Sequence, residues 1–414
     1  MLPSDTQVLI VGAGPTGLTL AAHLQSVGVD HLLVDALESA QNTSRAAVVH
    51  AHTLEMLKAI GVVDAMEAHG IEVSHFVIRD RDQALLDLAF DHLPSTFRHL
   101  LMLPQSSTEA VLEARLSELG GSVHRSVAAL DATAGGDGAT VRVRTVDGEQ
   151  TIRARFVVAA DGMHSVVRDA AGIGFRGAAY DESFVLADVR MDWPFGAQEV
   201  SLFFSPAGLV VIAPLPDGSY RVVATLDDAP EKPGIDDIQR LLDARGPTGR
   251  VRVTEIGWAS RFRVHHRLAD TYRKGPFVLM GDAAHVHSPA GGQGMNTGLV
   301  DAVVLGEALT RIVRNGEADA ILDVYARTRR PAAADVLALA SRLTQIATVR
   351  SVLLRRIRNL VLRVLDHIPA FKRTMALGFS GIGRARYSVL PARVEPARPL
   401  VAPDAARPVP RLVA

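Results

Sequence analysis

The chain has 414 residues, of which 48% are hydrophobic and 21% charged, and this composition excludes a disordered chain, a collagen and a coiled-coil rod. Its 44 Lys and Arg nearly balance its 45 Asp and Glu, so a basic surface for nucleic acid is not expected. The chain has no Cys, which excludes disulfides, thiolate metal sites, iron–sulfur clusters and a catalytic thiolate. A cysteine-free chain fits the cytoplasm, where we expect this protein to reside.

The first 35 residues are patterned as strand, helix and strand. The segment 7–11 is apolar after its first residue, helical spacing runs over 14–28, and a second, mainly apolar segment over 31–34 ends in Asp35. This pattern predicts a βαβ unit with a parallel sheet and a right-handed crossover. No basic region precedes the first apolar run, so we interpret it as a strand and not as a signal peptide. No stretch resembles a membrane span of about 20 apolar residues, and we expect a soluble protein.

Helical spacing recurs later in the chain, and it predicts helices over 53–60, 107–119 and 296–313. The segment 331–375 is also mostly helical and is rich in Arg. Two structures suit that composition, a helix packed on the core with its Arg side chains in water or an amphipathic helix on a membrane. We expect the first.

Strand patterns occupy the middle of the chain. Alternating stretches around glycine turns predict hairpins between 127 and 158, and four strands between 183 and 226 predict an antiparallel sheet. Short, continuously apolar strands are predicted at 156–160 and 277–280. Because the two kinds of strand alternate along the chain, the sequence predicts two domains that are interleaved.

A glycine-rich turn directly follows the first strand. Gly12, Gly14 and Gly17 fit G-x-G-x-x-G between a strand and a helix, where the backbone approaches a pyrophosphate at the helix N-terminus. Asp35 ends the second strand, where a carboxylate can accept a hydrogen bond from a ribose hydroxyl. The pattern predicts a bound dinucleotide rather than a turn without a ligand, and NAD and FAD both remain open on this motif.

Two further buried strands each end at an Asp beside a glycine. Asp161 follows the first and leads through a short turn to Arg168, while Asp282 follows the second and leads to a Gly-rich loop and a helix. Asp282 suits a ribityl hydroxyl, and backbone N–H groups at 294–296 suit the electron-rich edge of a flavin. These two segments favour FAD.

Taken in this order, the three motifs closely resemble those of the class A flavoprotein aromatic monooxygenases, the group typified by p-hydroxybenzoate hydroxylase. The resemblance covers about residues 5–345. Smaller matching pieces support it, and they are Ser44-Arg45-Ala46, 52–57, 103–105 and Arg261-Phe262-Arg263. One motif alone would be weak, but the combination is highly specific.

The resemblance implies which residues hold FAD. They are Gly12, Gly14, Pro15, Thr16, Gly17 and Asp35 for the ADP half, Arg45, Gln105 and Asp161 for the middle, Asp282 for the ribityl chain, and Gly292, Gly294, Met295 and Asn296 for the ring. It also implies that His164 and Arg168 contact NAD(P)H and that Arg45 serves flavin reduction. The alternative for both Arg residues is a surface ion pair. No metal site is expected, because His285 and His287 have no third ligand at a suitable spacing.

The implied reaction is the hydroxylation of an aromatic, phenolic or polycyclic small molecule with NADPH or NADH and O2, through a flavin hydroperoxide. Pro289 is expected near the peroxide, and no catalytic side-chain base is identified. Four residues are candidates by type only, namely His75, His92, His99 and Tyr220.

The strands around 201–204 and 209–212 carry no charge, which favours a neutral aromatic substrate over an aromatic acid. Arg190 and Arg221 flank this region, and their charges favour an aromatic acid instead.

We therefore predict an α/β fold in which a three-layer FAD-binding domain with a Rossmann-like parallel sheet is interleaved with an antiparallel β-sheet substrate domain and followed by C-terminal helices. The predicted divisions are 1–75, 100–182 and 258–345 for the FAD-binding domain, 76–99 and 183–257 for the substrate domain, 346–390 for the helices and 391–414 for a Pro/Ala-rich tail.

Two other hypotheses stay open at this point. One is a different flavoenzyme on the same fold, such as a drug-inactivating or Baeyer–Villiger oxygenase, and the other is a flavin-binding protein without catalysis. Neither nucleic acid nor a membrane is expected as a partner, and the sequence selects no oligomeric state.

Overall fold

The computed structural model describes residues 2–40, 46–226, 230–249, 251–289, 291–347, 349 and 351–392. Its strands are β1 (Asp5–Val11), β2 (His31–Val34), β3 (Val48–Val49), β4 (Ile71–Val73), β5 (His75–Asp80), β6 (Gln83–Ala89), β7 (Leu100–Met102), β8 (Val123–His124), β9 (Ala128–Gly135), β10 (Gly138–Thr145), β11 (Gly148–Ala159), β12 (Phe175–Asp192), β13 (Glu199–Ser205), β14 (Gly208–Pro214), β15 (Tyr220–Thr225), β16 (Arg252–Ala269), β17 (Arg273–Lys274), β18 (Phe277–Leu279) and β19 (His285–Val286).

Its α-helices are α1 (Pro15–Ser26), α2 (Ala51–Leu57), α3 (Val63–His69), α4 (Gln105–Glu118), α5 (Val166–Ala170), α6 (Ile235–Arg245), α7 (Gly294–Asn315), α8 (Ile321–Ala347), α9 (Val352–Asp366) and α10 (Pro369–Phe379). Three 3₁₀ helices cover Lys58–Ile60, Gly281–Ala283 and Ile382–Ser388.

The first sheet is the parallel one. Its order is β17-β18-β11-β1-β2-β8, and β1 runs parallel to both β11 and β2. Leu9 and Ile10 at its centre are fully buried, since helices cover the sheet, with α1 packed against α4 and α7. The carboxyl ends of β1, β11 and β18 therefore meet at one edge, which is where ligands bind in such sheets.

β11 pairs with three other strands. Its first part pairs antiparallel with β10, and its last part pairs parallel with β1 and β18. The sequence predicted a hairpin arm and a separate buried strand here, and the structure joins them into one strand of 12 residues. The alternating polar residues belong to the part of this strand that lies in the hairpin, and the apolar run belongs to the part that lies in the core.

The second sheet has the order β19-β16-β12-β15-β14-β13-β5-β6 and is antiparallel except for the parallel pair β13 and β5. Four of its strands were expected from the sequence. The additions are the β5–β6 hairpin, distant in sequence, the short β19, and β16, whose many Arg and His residues hide its strand pattern. A small third sheet, β3-β7-β4, completes the strands.

The two faces of the second sheet have different partners because side chains alternate along each strand. Val210 and Ile212 of β14 pack with Leu241 and Leu242 of α6 in a separate apolar cluster. Leu209, Val211 and Ala213 point to the other face, toward a cavity. One face is thus a core, and the other is free to bind a ligand.

The C-terminal segment is helical as predicted, but α8 begins before Pro331 and contains it. Ala333 and Val336 of α8 are buried in the core, whereas α9 has no buried residue. None of the helices in the described ranges combines the length and apolar character needed to cross a bilayer.

The predicted α/β architecture with parallel and antiparallel sheets and C-terminal helices is confirmed. The division into domains stays a prediction. The proposed boundaries at 182/183 and 257/258 fall inside β12 and β16, which continue through them although the pairing of the two strands is irregular at both places.

The close crossing of α1 and α7 generates a stability prediction. A Cβ on Gly306 of α7 would lie 2.6 Å from Cγ of His23 in α1. We expect Gly306→Ala to lower the free energy of unfolding by about 1–3 kcal/mol, because the helices or the His23 side chain must move. The measurement is urea unfolding.

Gly378→Ala is the matched control, since no atom lies within 4 Å of the added Cβ in α10. That variant should be neutral or stabilised by up to about 1 kcal/mol. Equal destabilisation of the two variants would contradict the packing described for α1 and α7.

Candidate functional site

A cavity of about 470 Å³ lies between the carboxyl edge of the parallel sheet and the open face of the antiparallel sheet. Eight of the residues predicted from the sequence line it, namely Gly14, Pro15, Thr16, Gln105, Asp282, Gly292, Gly294 and Met295, and Pro289 lines it as well. Segments far apart in sequence thus meet around one space.

The glycine turn after β1 shows three distinct environments. A Cβ on Gly12 would lie 2.3 Å from the Ala160 carbonyl oxygen, and one on Gly17 would lie 1.9 Å from the Gly12 oxygen, so both positions require glycine. Gly14, the N-cap of α1, has no atom within 4 Å of its Cβ position and has no side-chain cap. The N–H groups of this helix terminus therefore face open space, as anion binding requires.

Asp35 holds this turn in place. Its Oδ2 accepts a hydrogen bond from the Ala13 N–H at 2.6 Å, and its Oδ1 accepts one from the Leu37 N–H at 2.9 Å. Arg125 lies 3.8 Å from Oδ1. Asp35 lies outside the cavity lining, at the end of β2, so it stabilises the turn from the side.

Asp161 faces the start of α5. Its Oδ2 accepts a hydrogen bond from the Val166 N–H at 2.8 Å, while its Oδ1 is buried without a hydrogen-bond partner among the described residues. Burial raises the pKa of Asp161, and hydrogen bonds from Ser165 and from backbone N–H groups oppose that rise. The unpartnered oxygen marks a place where a ligand hydroxyl can donate.

Arg168 is 5% exposed and connects two turns at the cavity edge. Its Nη1 donates to the Met163 carbonyl at 2.9 Å and to the Ala283 carbonyl at 3.3 Å, and its Nε and Nη2 donate to Asp169. His164, in the same turn, is exposed. The structure thus places Arg168 as a buried connector and His164 on the surface.

The loop before α7 is shaped by Gly292 and Asn296. Gly292 has a φ of +62°, and its Cβ would lie 2.3 Å from Val48. Asn296 accepts a hydrogen bond from the His50 N–H at 2.8 Å and donates to the Gly292 and Val48 carbonyls. The Asn296 side chain is therefore occupied in fixing the loop, and its backbone N–H remains part of the α7 N-terminus.

Asp282 and Gln105 lie on the cavity wall in different surroundings. Asp282 is exposed toward the cavity, in the 3₁₀ turn after β18. Gln105 begins α4 and donates from Nε2 to Glu109 at 2.9 Å. Arg45 lies outside the described residues.

A buried charged cluster under the loop was not predicted. Asp301 of α7 is fully buried, with Oδ2 bonded to His285 Nε2 at 2.7 Å and Oδ1 accepting from Arg329 Nε at 2.7 Å. Burial alone would raise the pKa of Asp301, but Arg329 and His285 together hold it below its usual value. Spacing gives no signal for this cluster, because its members lie on strand β19 and on two different helices.

Two histidines flank the same loop and were also missed, the buried His50 and the partly buried His287. His50 Nε2 lies 3.6 Å from the Cβ position of Gly292, and His287 Nε2 lies 3.8 Å from that of Gly294. Burial lowers the pKa of His50 to about 3 and that of His287 to about 4, so both rings are neutral at pH 7. Their neutrality makes them hydrogen-bonding groups rather than charges.

The four residues suggested by type lie elsewhere. In the part of the chain that is described, His75, His92, His99 and Tyr220 do not line the cavity. His75 pairs with Asp87 at 2.8 Å on the surface of the β5–β6 hairpin.

The different surroundings of the two carboxylates generate a prediction about FAD. Asp282→Ala should weaken FAD binding by about one to two decades, because a charge-assisted hydrogen bond of about 1.5–3 kcal/mol is lost. Asp161→Ala should instead lower the free energy of unfolding by about 1 kcal/mol, because α5 loses an N-terminal acceptor.

Flavin fluorescence titration of the apoprotein and urea unfolding measure the two effects. Equal FAD dissociation constants in the two variants would contradict the assignment of Asp282 to the cofactor.

The neutral, buried ring of His50 generates a prediction about the pH dependence of stability. The folded pKa of His50 lies below the unfolded value, so its contribution to stability is complete above pH 6.5 and is lost as the pH falls toward about 3. Each such group should add about 1.4 kcal/mol per pH unit to the decrease in the free energy of unfolding as the pH falls.

Urea unfolding measured between pH 7 and pH 5 should therefore show a smaller change in the free energy of unfolding with pH in His50→Gln than in the wild type. His92→Gln, at an exposed position, is the control. An identical slope in His50→Gln and the wild type would show that His50 is not buried in its neutral form.

Comparison with known proteins agrees with the geometry of the cavity. Residues 5–340 match the family model described as the FAD binding domain. The chain is 35% identical over 391 residues to 6-methylpretetramide 4-monooxygenase of Streptomyces rimosus, covering 90% of this chain and 70% of that protein. It is 34% identical over 349 residues to pentachlorophenol 4-monooxygenase of Sphingobium chlorophenolicum, covering 81% and 63%. The chain thus spans about two thirds of the length of these curated relatives.

The fold is that of a solved structure, p-nitrophenol 4-monooxygenase from Pseudomonas putida, with a TM-score of 0.83 and 23% identity over 93% of this chain and 99% of that one. The motifs of the sequence, the cavity they line and the family match agree with one another. The chain belongs to the FAD binding domain family, and its predicted place among the class A flavoprotein aromatic monooxygenases is confirmed.

Proposed function

We propose that the protein is an FAD-dependent monooxygenase that uses NAD(P)H and O2 to hydroxylate a neutral phenolic or polycyclic aromatic compound. One observation carries this proposal. A single cavity joins the glycine turn and Asp282 on one side to an apolar sheet face on the other. A cofactor held by the first wall would present its ring to a substrate held by the second.

The residues present fit FAD. The uncapped N-terminus of α1 at Gly14 would receive the pyrophosphate, Asp282 the ribityl chain, and the loop from Gly292 to Met295 the ring. When bound, FAD supplies electron transfer from NAD(P)H and activation of O2, which no side chain provides. The protein binds and orients the two reactants and keeps water from them.

The substrate wall is apolar. Leu209, Val211 and Ala213 of β14 project into the cavity, and Phe184 and Phe262 pack there with ring centroids 5.8 Å apart. Such a surface takes up a fused aromatic system by burying its faces. The two relatives are named for a pretetramide and for a phenol, and the polycyclic and phenolic substrate classes are carried over from them as part of the proposal.

Arg221 lines the cavity but does not make it a site for acids. It is 2% exposed, and its Nε and Nη2 each donate to Asp188 at 2.7 Å while Nη1 donates to the Ala46 carbonyl at 2.7 Å. This bidentate pair neutralises the guanidinium. Arg190 lies outside the cavity lining, 3.6 Å from Glu255. Among the described residues of the lining, a substrate carboxylate would thus lose its hydration without meeting an uncompensated Arg or Lys side chain.

Several roles remain part of the proposal. Pro289 would lie at the oxygen-transfer end, His164 and Arg168 would serve NAD(P)H docking, and Arg45 would serve flavin reduction. The neutral rings of His50 and His287 would hydrogen-bond near the flavin edge without adding charge. The use of O2 and a cytoplasmic location belong to the same proposal.

The test uses a neutral and an acidic substrate of similar shape, 1-naphthol and 1-hydroxy-2-naphthoic acid. With the FAD-loaded protein and NAD(P)H, we expect an oxygen atom from labelled O2 in the product and at least about a tenfold higher kcat/KM for naphthol, a difference of about 1.4 kcal/mol. A preference for the acid would overturn the neutral-substrate proposal. NAD(P)H oxidation without oxygen in any aromatic product would overturn the monooxygenase proposal.

The variant Val211→Trp tests whether the substrate binds at the apolar wall of the cavity. The larger ring should occupy the substrate half of the cavity and raise the KM for naphthol at least about tenfold, while the FAD content stays the same. Val146→Trp, in the exposed turn between β10 and β11, is the matched control. An unchanged KM in Val211→Trp would move the substrate away from β14.

A further inference from the structure

α9 carries an apolar stripe that nothing in the described part of the chain covers. The stripe consists of large aliphatic side chains with helical i, i+3, i+4 and i+7 spacing, and its members are Leu353, Leu354, Ile357, Leu360, Val361, Val364 and Ile368. Their exposure runs from 42% at Ile368 to 67% at Leu353. Soluble monomers rarely expose a contiguous apolar patch of this kind.

The outward direction of the stripe is fixed by polar contacts on the opposite side of α9. Asn359 donates to Asp80 at 2.5 Å, Arg358 donates to the Ile346 carbonyl at 3.0 Å, and Asp366 accepts from the Asp87 N–H at 2.9 Å. The helix therefore turns Arg358, Asn359 and Asp366 toward the protein, beside Leu362, and turns the apolar stripe toward solvent. This is the reverse of a core-packing helix, which the sequence led us to expect.

The charges of α9 and of the neighbouring α10 are mostly positive. α9 and α10 carry six cationic residues and one acidic residue, and they are Arg355, Arg356, Arg358, Arg363, Lys372 and Arg373, against Asp366. The acidic residue is occupied, because Asp366 pairs with Lys372 at 3.2 Å. Arg356 and Arg373 are exposed and make no hydrogen bond or ion pair with the described residues. The surface that carries the stripe is thus both apolar and basic.

This combination distinguishes between two occupants. A second copy of the chain docked stripe to stripe would place two sets of Arg356 and Arg363 near each other without an outward acid to pair with them. An anionic lipid surface offers hydrocarbon for the stripe and phosphate for the cations. Charge complementarity favours the lipid.

We propose that α9 lies along the surface of an anionic bilayer, with the apolar stripe in the headgroup–acyl boundary and the flanking Arg side chains at the phosphates. No membrane partner was expected from the sequence because no span was found, but an interfacial helix requires none. The contact would hold the enzyme on the membrane through α9 while the rest of the chain stays in water.

The test is flotation of the full-length, FAD-loaded protein with vesicles. Phosphatidylcholine vesicles that include phosphatidylglycerol should carry at least about ten times more protein than pure phosphatidylcholine vesicles at low salt, and the difference should shrink as salt is added. Equal binding to both kinds of vesicle, or binding to neither, would overturn the proposal.

Variants separate the stripe from the charges. Leu353→Ser with Leu360→Ser should reduce vesicle binding at least about tenfold, and Arg356→Gln with Arg373→Gln should remove the preference for phosphatidylglycerol. The matched control is Val146→Ser with Ile235→Ser, which removes two exposed apolar side chains elsewhere and should bind as the wild type does.

FAD content and the urea midpoint confirm that each variant is folded. Wild-type vesicle binding by the Leu353→Ser and Leu360→Ser variant would overturn the proposal. So would a dimer in analytical ultracentrifugation that this variant dissociates, since the second copy would then be the occupant.

Discussion

The buried carboxylate of Asp301 is the interaction on which the cavity depends. From α7 it binds His285 beside the turn that carries Asp282, it accepts from Arg329 of α8, and its Oδ2 also receives the Gly281 N–H at 3.2 Å. Removing one partner of such a buried ion pair costs about 3–5 kcal/mol, because the remaining charge is left uncompensated. The cluster therefore fixes the turn and the helix N-terminus that form the cofactor wall. At the other end of that wall, the close contacts of Gly12 and Gly17 fix the backbone turn.

The cofactor wall could be predicted from the sequence because its residues are local to strand ends. Gly12, Gly14 and Gly17 follow β1 directly, and Asp282 follows β18, so the carboxyl edge of a parallel sheet brings them together. The residues behind this wall gave no such signal. Asp301 and Arg329 lie on two helices and meet only through packing, and His50 is the N-cap of a short helix with no pattern of its own.

The substrate wall was only partly predictable. Strands β13 and β14 were predicted from their uncharged segments around 201–204 and 209–212, but β5 and β6 join them from a distant segment, and the Arg and His residues of β16 hide its strand pattern. Arg221 shows a further limit of sequence reasoning. Its charge argued for an acidic substrate, and only the bidentate contact with Asp188 reveals that this charge is already neutralised.

The cavity and α9 differ in how their charges are compensated. In the cavity wall the guanidinium of Arg221 is paired with Asp188 beside an apolar sheet face, whereas on α9 the apolar stripe is exposed and Arg356 has no partner among the described residues. The most direct measurement of the central claim is the visible absorption spectrum of the purified protein during titration with a neutral phenol. The account predicts a flavin spectrum that is perturbed as the aromatic ring enters the shared cavity. A protein that retains no flavin after reconstitution with FAD would contradict it.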